Sequence, residues 1–215
     1  MIILRVDDVG RCPQDTPELG TDGNLGYFEE WRKAAGLLGA PVIYGVVPKW
    51  LTERGADWLR KNLGGDEVLA VHGFDHKMNA TVSLEEMQYG MNLLKCESYI
   101  PPYNKYDDTT LSDWEVVGGK YLFGGRNFEH HLYGDKPVIM GGVVHIPACW
   151  NLYGRAGELT KAVKEMTKPS FPVVATLHVP WDRNFQLVKD FVDAVSPYLI
   201  TLQELDTWLG ENHGN

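Results

Sequence analysis

The chain has 215 residues, enough for one sizeable hydrophobic core, either in one large α/β domain or in two small ones. Hydrophobic residues make up 44% and charged residues 23%, a balance that argues against disorder as the dominant state. A net charge of −9 argues against a general nucleic-acid binder, which needs a basic surface, and no apolar stretch is long enough to span a bilayer.

The chain opens on MIILRVDDVG, whose apolar run is too short for a signal peptide and is followed at once by an acidic pair. It reads as a first strand, IILRV, and the expected location is cytoplasmic. The three cysteines, Cys12, Cys96 and Cys149, form no CxxC pair, which fits a reduced chain better than a disulfide scaffold. LGYFEEWRKAAGLLG then shows helical periodicity with a closing glycine. PVIYGVV is the next strand, followed by a helical segment around KWLTERGADWLRKNL. EVLAV is the third strand. SLEEMQYGMNLLK carries a capping box, with Ser83 as N-cap and Glu86 three residues on.

SYI is a short fourth strand ending at Pro101 and Pro102, and TLSDWEVVG a short helix. KYLFG is the fifth strand, and Arg126 to Pro137 read as a long loop. VVHIPA is the sixth strand, AGELTKAVKEMT a helix, PVVATLH the seventh strand and NFQLVKDFVDAV a helix. YLIT and LQELDTWLG close the chain. Strands alternating with helices predict parallel pairing through right-handed crossovers. The expected fold is an irregular (β/α) barrel of about seven parallel strands, as a single domain over residues 1–210 with a tail at 211–215. A flat doubly wound sheet is the structural alternative. Its nucleotide-binding versions lack support, since no GxGxxG follows a strand and no GxxxxGK[ST] occurs.

Polar residues fall at the ends of these strands. Asp7 and Asp8 end the first, His72 and His76 follow the third, Pro101, Pro102 and Tyr103 follow the fourth, and His178 ends the seventh. In parallel α/β folds the C-terminal strand ends share one face, where active sites sit. One carboxylate and two histidines would give an ion three protein ligands and leave a position open for water, the pattern of a catalytic site. Gly73 would let the chain turn between the two histidines.

DDVG, HGFDH, IPPYN and TLH occur in the order seen in the polysaccharide deacetylase family, the NodB-homology domain of carbohydrate esterase family four. The chain resembles that family over nearly its whole length, and the HGFDH form looks most like its intracellular "predicted deacetylase" branch. The resemblance implies an irregular (β/α) barrel and a metal-dependent hydrolase that removes an acetyl group from an N-acetylated, carbohydrate-like substrate. It implies metal binding by Asp8, His72 and His76, with zinc as the default ion and cobalt, nickel or iron also accepted. Asp7 would be the general base, His178 would protonate the leaving amine, and Tyr103 would offer a backbone N–H to the developing oxyanion. Tyr103 is the first free donor after two prolines, which have none.

The sequence departs from the family in two places. The position before PPY, commonly an arginine that orients the base, is Ile100, and the Asp-containing motif that supports the acid histidine has no clear match. Arg5 is the proposed substitute, since it lies two residues before Asp7 and should face the same side of the strand. Arg126 is its rival.

Each motif also has a purely structural reading. Asp7 and Asp8 could terminate a strand, a lone HxxxH is more often structural, and PPY is a turn signal in any protein. Glu129, His130 and His131 read as a solvated loop, His145 as core or barrel interior, and His213 as tail. Trp150, Asn151, Tyr153, Trp181 and Asp182 follow strands and could stack on and hydrogen-bond a sugar ring, with rim packing as the equal alternative. Pro102, Tyr103 and Arg126 complete the candidate substrate contacts. Trp31, Trp50, Trp58, Trp114 and Trp208 sit in helical patterns and read as core. The expected partner is a carbohydrate or other N-acetylated small molecule, with no nucleic acid and no membrane. Two further functions stay open: a non-catalytic carbohydrate-binding relative, and a metal hydrolase for a non-sugar amide or ester.

Overall fold

The computed structural model describes residues 1–10, 25–77, 82–125, 136–152, 159–179 and 181–213. Their elements run β1 (Ile2–Val9), α1 (Leu25–Ala34), β2 (Val42–Val46), α2 (Glu53–Asn62), β3 (Glu67–Val71), α3 (Leu84–Leu94) and β4 (Ser98–Tyr99). They continue with α4 (Asp108–Val116), β5 (Tyr121–Phe123), β6 (Val138–Met140), β7 (Val143–Ile146), β8 (Ala148–Asn151), α5 (Leu159–Met166), β9 (Val173–His178), α6 (Phe185–Val195) and α7 (Leu202–His213).

The nine strands form one sheet in the order β6-β7-β5-β4-β3-β2-β1-β9-β8. Every pairing is parallel except that of β6 with β7. β7 and β8 lie toward opposite ends of this order, yet only Pro147 separates them in the chain. Three consecutive Cα atoms span at most about 7 Å, so the sheet must curl until its two flanks meet. The result is an irregular (β/α) barrel whose seam is crossed by the chain itself.

The irregular (β/α) barrel is the expected fold, and its strands differ from the expected set in detail. VVHIPA is not one strand: Pro147 has no N–H to continue a ladder, and the chain leaves one flank of the sheet there to join the other. Val138–Met140, just past the expected loop from Arg126 to Pro137 and assigned to no element in the sequence, form β6, which pairs antiparallel with β7 across a turn at Gly141 and Gly142. In the YLIT segment Leu199 forms an isolated bridge to Ile2. The first helix stops at Ala34, and α7 runs from Leu202 to His213.

Two apolar clusters follow from strand alternation. Ile2, Leu4, Val6, Tyr44, Val46 and Leu177 pack with helix residues such as Phe28, Trp31, Met87 and Phe191, so they face outward under the helices. Ile3, Ile43, Ala70, Phe123, Val144, Ile146 and Val174 meet one another, together with Leu205 and Leu209 of α7, and fill the barrel interior. Asp206 of α7 accepts from Lys120 and Tyr121 at the start of β5, so α7 closes the end opposite the C-terminal strand ends. Trp31 and Trp114 are fully buried, as expected, and the capping box at Ser83 and Glu86 forms. Among the described residues no helix is long and apolar enough to cross a membrane.

Candidate metal and acyl-transfer site

β1 carries alternate residues into the barrel: Ile3, Arg5, then Asp7. Strict alternation would send Asp8 outward. Asp8 instead takes a left-handed φ of 62°, and the pairing of β1 with β2 shifts register between Val6 and Val9. This irregularity turns both neighbouring carboxylates into the same space. Gly45 on β2 leaves room for Asp7, since a Cβ there would lie 3.1 Å from Asp7 Oδ1 and 3.0 Å from Ile100 Cδ1.

β3 delivers His72, whose backbone N–H bonds Val46 O at 2.7 Å. Gly73 then turns at φ 64°, and a Cβ there would fall 2.4 Å from Pro102 Cγ. The two loops of the site thus touch through a glycine. Gly73→Ala is expected to lower stability by about 2 kcal/mol from left-handed strain and overlap together, and to weaken metal affinity. Thermal melting and a zinc titration read both effects.

His76 follows at φ 58° and Tyr103 and Asn104 at 57° and 59°. With Asp8, these are four of the five non-glycine residues of positive φ among the described residues, the fifth being the helix-capping Lys95. Strain gathered in one place in this way makes these strand ends a candidate functional site.

His76 Nε2 lies 3.1 Å and His72 Nε2 3.7 Å from Asp8 Oδ1. One ligand atom from each of the three residues lies within 4.8 Å of the other two. Donors about 2.1 Å from one tetrahedral ion sit about 3.4 Å apart, so this spacing fits a shared cation. His72 Nδ1 is 2.9 Å from Ile100 O and donates to it, which leaves Nε2 with its lone pair toward Asp8. Burial pushes the His72 pKa down to about 3, so the ring is neutral, as a ligand must be.

Asp7 lies beside this triad. Arg5 Nη2 donates to Asp7 Oδ2 at 2.8 Å and to Asn104 Oδ1 at 2.7 Å, and Arg5 Nη1 donates to Phe123 O at 3.0 Å. The guanidinium thus reaches Asp7 from inside the barrel, while Ile100, at the family's arginine position, is buried and apolar. Burial alone would raise the Asp7 pKa; Arg5, with His72 and His178, outweighs it and holds the carboxyl below its usual range. His178 Nε2 stands 3.8 Å from Asp7 Oδ2 on the neighbouring strand. Burial lowers the His178 pKa, against the opposing pull of Asp7 and Asp8. Its Nδ1 is buried without a hydrogen-bond partner among the described residues. Asp182 accepts from the His178 backbone N–H at 2.6 Å, and burial lifts that carboxyl to about 6.

These side chains line a cavity of roughly 410 Å³ bounded by Asp7, Asp8, His72, His76, Tyr103, Asn104, Asn151, His178 and Trp181. Tyr103 is exposed, and its ring lies 5.0 Å from that of His76. Trp150 is not in the cavity. It is buried and stacks on Phe191 of α6 at 5.0 Å, while its neighbour Asn151 faces the site. Pro102 is also buried, with its ring under Gly73. His145 is buried but faces outward; its Nε2 lies 2.6 Å from Tyr106 Oη and 2.8 Å from Gly124 O. Arg126, Glu129, His130, His131 and Tyr153 lie outside the described residues. Asn104 is the site residue that sequence reasoning missed. Its only signal was its place directly after PPY.

No family model matches the sequence and no curated protein sequence matches it. Solved structures do match. A proposed polysaccharide deacetylase from Mycobacterium smegmatis superposes with a TM-score of 0.71 at 13% identity, covering 99% of this chain and 90% of its own. A family 4 acetyl xylan esterase from Clostridium thermocellum, in complex with a cobalt ion, gives a TM-score of 0.54 at 11% identity, with coverage of 97% and 91%. A family 4 pseudoenzyme from Bacillus anthracis gives 0.52 at 10%, with coverage of 95% and 64%. The chain has the fold of the polysaccharide deacetylases and family 4 carbohydrate esterases.

Proposed function

We propose that the protein is a metal-dependent deacetylase acting on an N-acetylated, carbohydrate-like substrate. The observation that carries this reading is the juxtaposition of two carboxylate units. Asp8 sits among two neutral-capable imidazoles at ligand spacing, and Asp7 lies next to it, tied to Arg5 and facing His178. A purely structural cluster has no use for a second buried carboxylate held ionised beside the first.

Asp8, His72 and His76 would hold a divalent cation, zinc by default. Bound there, it would polarise an acyl oxygen and lower the pKa of a water. Asp7 accepts the proton of the attacking water, and Arg5 keeps it ionised to do so. His178 stands across from Asp7 and passes a proton to the departing amine. The Tyr103 N–H meets no acceptor among the described residues and donates to the oxygen on which negative charge develops. Trp181 and Asn151 at the cavity wall supply an apolar face and an amide for the sugar ring.

The test is acetate release from N-acetylated chitooligosaccharides, acetylated xylan and 4-nitrophenyl acetate by zinc-loaded protein. Release that disappears on chelation and returns with zinc supports the reading. Glycan binding without acetate release would instead favour the non-catalytic reading, for which the pseudoenzyme of the same fold is a precedent.

A further inference from the structure

We propose that the side-chain amide of Asn104 is a second donor to the acyl oxygen, fed by the buried charge of Arg5. This inference rests on the deacetylase reading and adds a residue to it. Asn104 Oδ1 accepts from Arg5 Nη2 at 2.7 Å. A guanidinium only donates, so the oxygen end of the amide must face it, and the Nδ2 N–H pair must point the other way. Asn104 lines the cavity, and Nδ2 meets no acceptor among the described residues. Two N–H donors are therefore presented to whatever occupies the site.

The chemistry selects the acceptor. Arg5 bonded to the amide oxygen draws electron density from the amide and makes its N–H groups better donors, as in any hydrogen-bond chain in a poorly solvated interior. Such donors gain most from an acceptor that becomes negative, and less from a neutral sugar hydroxyl. Asn104 also directly follows Tyr103, and both residues hold left-handed backbone, which keeps the two donors on one tight turn. Arg5 thus has two outputs: it holds Asp7 ionised and, through Asn104, extends its charge toward the oxygen of the same acyl group.

The deciding variant is Asn104→Gly, because glycine suits φ 59° and removes the donor without straining the turn. Zinc-loaded wild type and variant are compared in acetate release and in calorimetric binding of methylphosphonate, a tetrahedral anion of acetate size. The expected result is a kcat lower by roughly 100-fold with KM little changed, and methylphosphonate binding weaker by about 10-fold or more. The acid limb of the pH profile should stay in place, since Arg5 still holds Asp7. Unchanged kcat and unchanged methylphosphonate binding would overturn the proposal. So would a kcat loss that comes wholly from a shifted acid limb, because Asn104 would then serve only to position Arg5. Failure of wild type to bind methylphosphonate would overturn it too. If neither protein frees acetate but methylphosphonate binding still depends on Asn104, the anion site stands and the deacetylase reading falls.

Discussion

Asp7→Asn is expected to lower acetate release by roughly 10³-fold while leaving metal content unchanged. The substitution keeps the shape of the side chain and an oxygen for Arg5 Nη2, so the contact at 2.8 Å has a neutral successor. What it removes is the ability to take a proton. Asp8, His72 and His76 keep their mutual spacing, so the ion should bind as before. Elemental analysis and acetate assays on the same preparation separate the two effects. Loss of metal with loss of activity would make Asp7 a ligand rather than a base.

The second large effect is expected at Arg5. It is 1% exposed and its partner Asp7 2% exposed, so the pair is fully withdrawn from water. Arg5→Met should destabilise the protein by about 3–5 kcal/mol, because it leaves a buried carboxylate without its counter-charge. The direction with pH follows from the Asp7 pKa, which Arg5 depresses in the folded state. Such a pair contributes its stability above the unfolded carboxylate value of about 3.9 and loses it as pH falls through the folded value. The Arg5→Met deficit should therefore be largest near neutrality and shrink in acid. In the same variant Asp7 should titrate higher, moving the acid limb of the activity profile to higher pH. Denaturant melts across pH and a rate profile read the two consequences. A variant as stable as wild type at neutrality would show that Asp7 is not ionised in the native state.

Much of this site could be read from strand ends. Asp7, His72 and His178 face the barrel because they continue the interior registers of β1, β3 and β9, and alternation makes that visible in sequence. Arg5 was legible on the same rule. Asp8 was legible as a candidate only through the motif, because its inward turn depends on a left-handed residue and a register shift that alternation does not predict. Trp150 and Asn151 were both candidate contacts, and only Asn151 reaches the cavity, for a similar cause. The pairing of β8 with β9 shifts between Ala148 and Trp150, and that shift decides which of the two neighbours meets the cavity. β6 was lost because three residues carry too short a pattern, although the glycine pair at 141 and 142 was a hairpin signal. Asn104 was visible only as the residue after PPY, and its orientation could not be read, because it depends on an arginine 99 residues away.

The central claim is that Asp8, His72 and His76 bind one catalytic cation. Zinc content, measured by elemental analysis after reconstitution and desalting, tests it on wild type and His72→Ala side by side. The account predicts about one zinc per chain in the wild type, from three protein ligands and an open position, and almost none in the variant. Equal zinc in both proteins, or none in either, would contradict it.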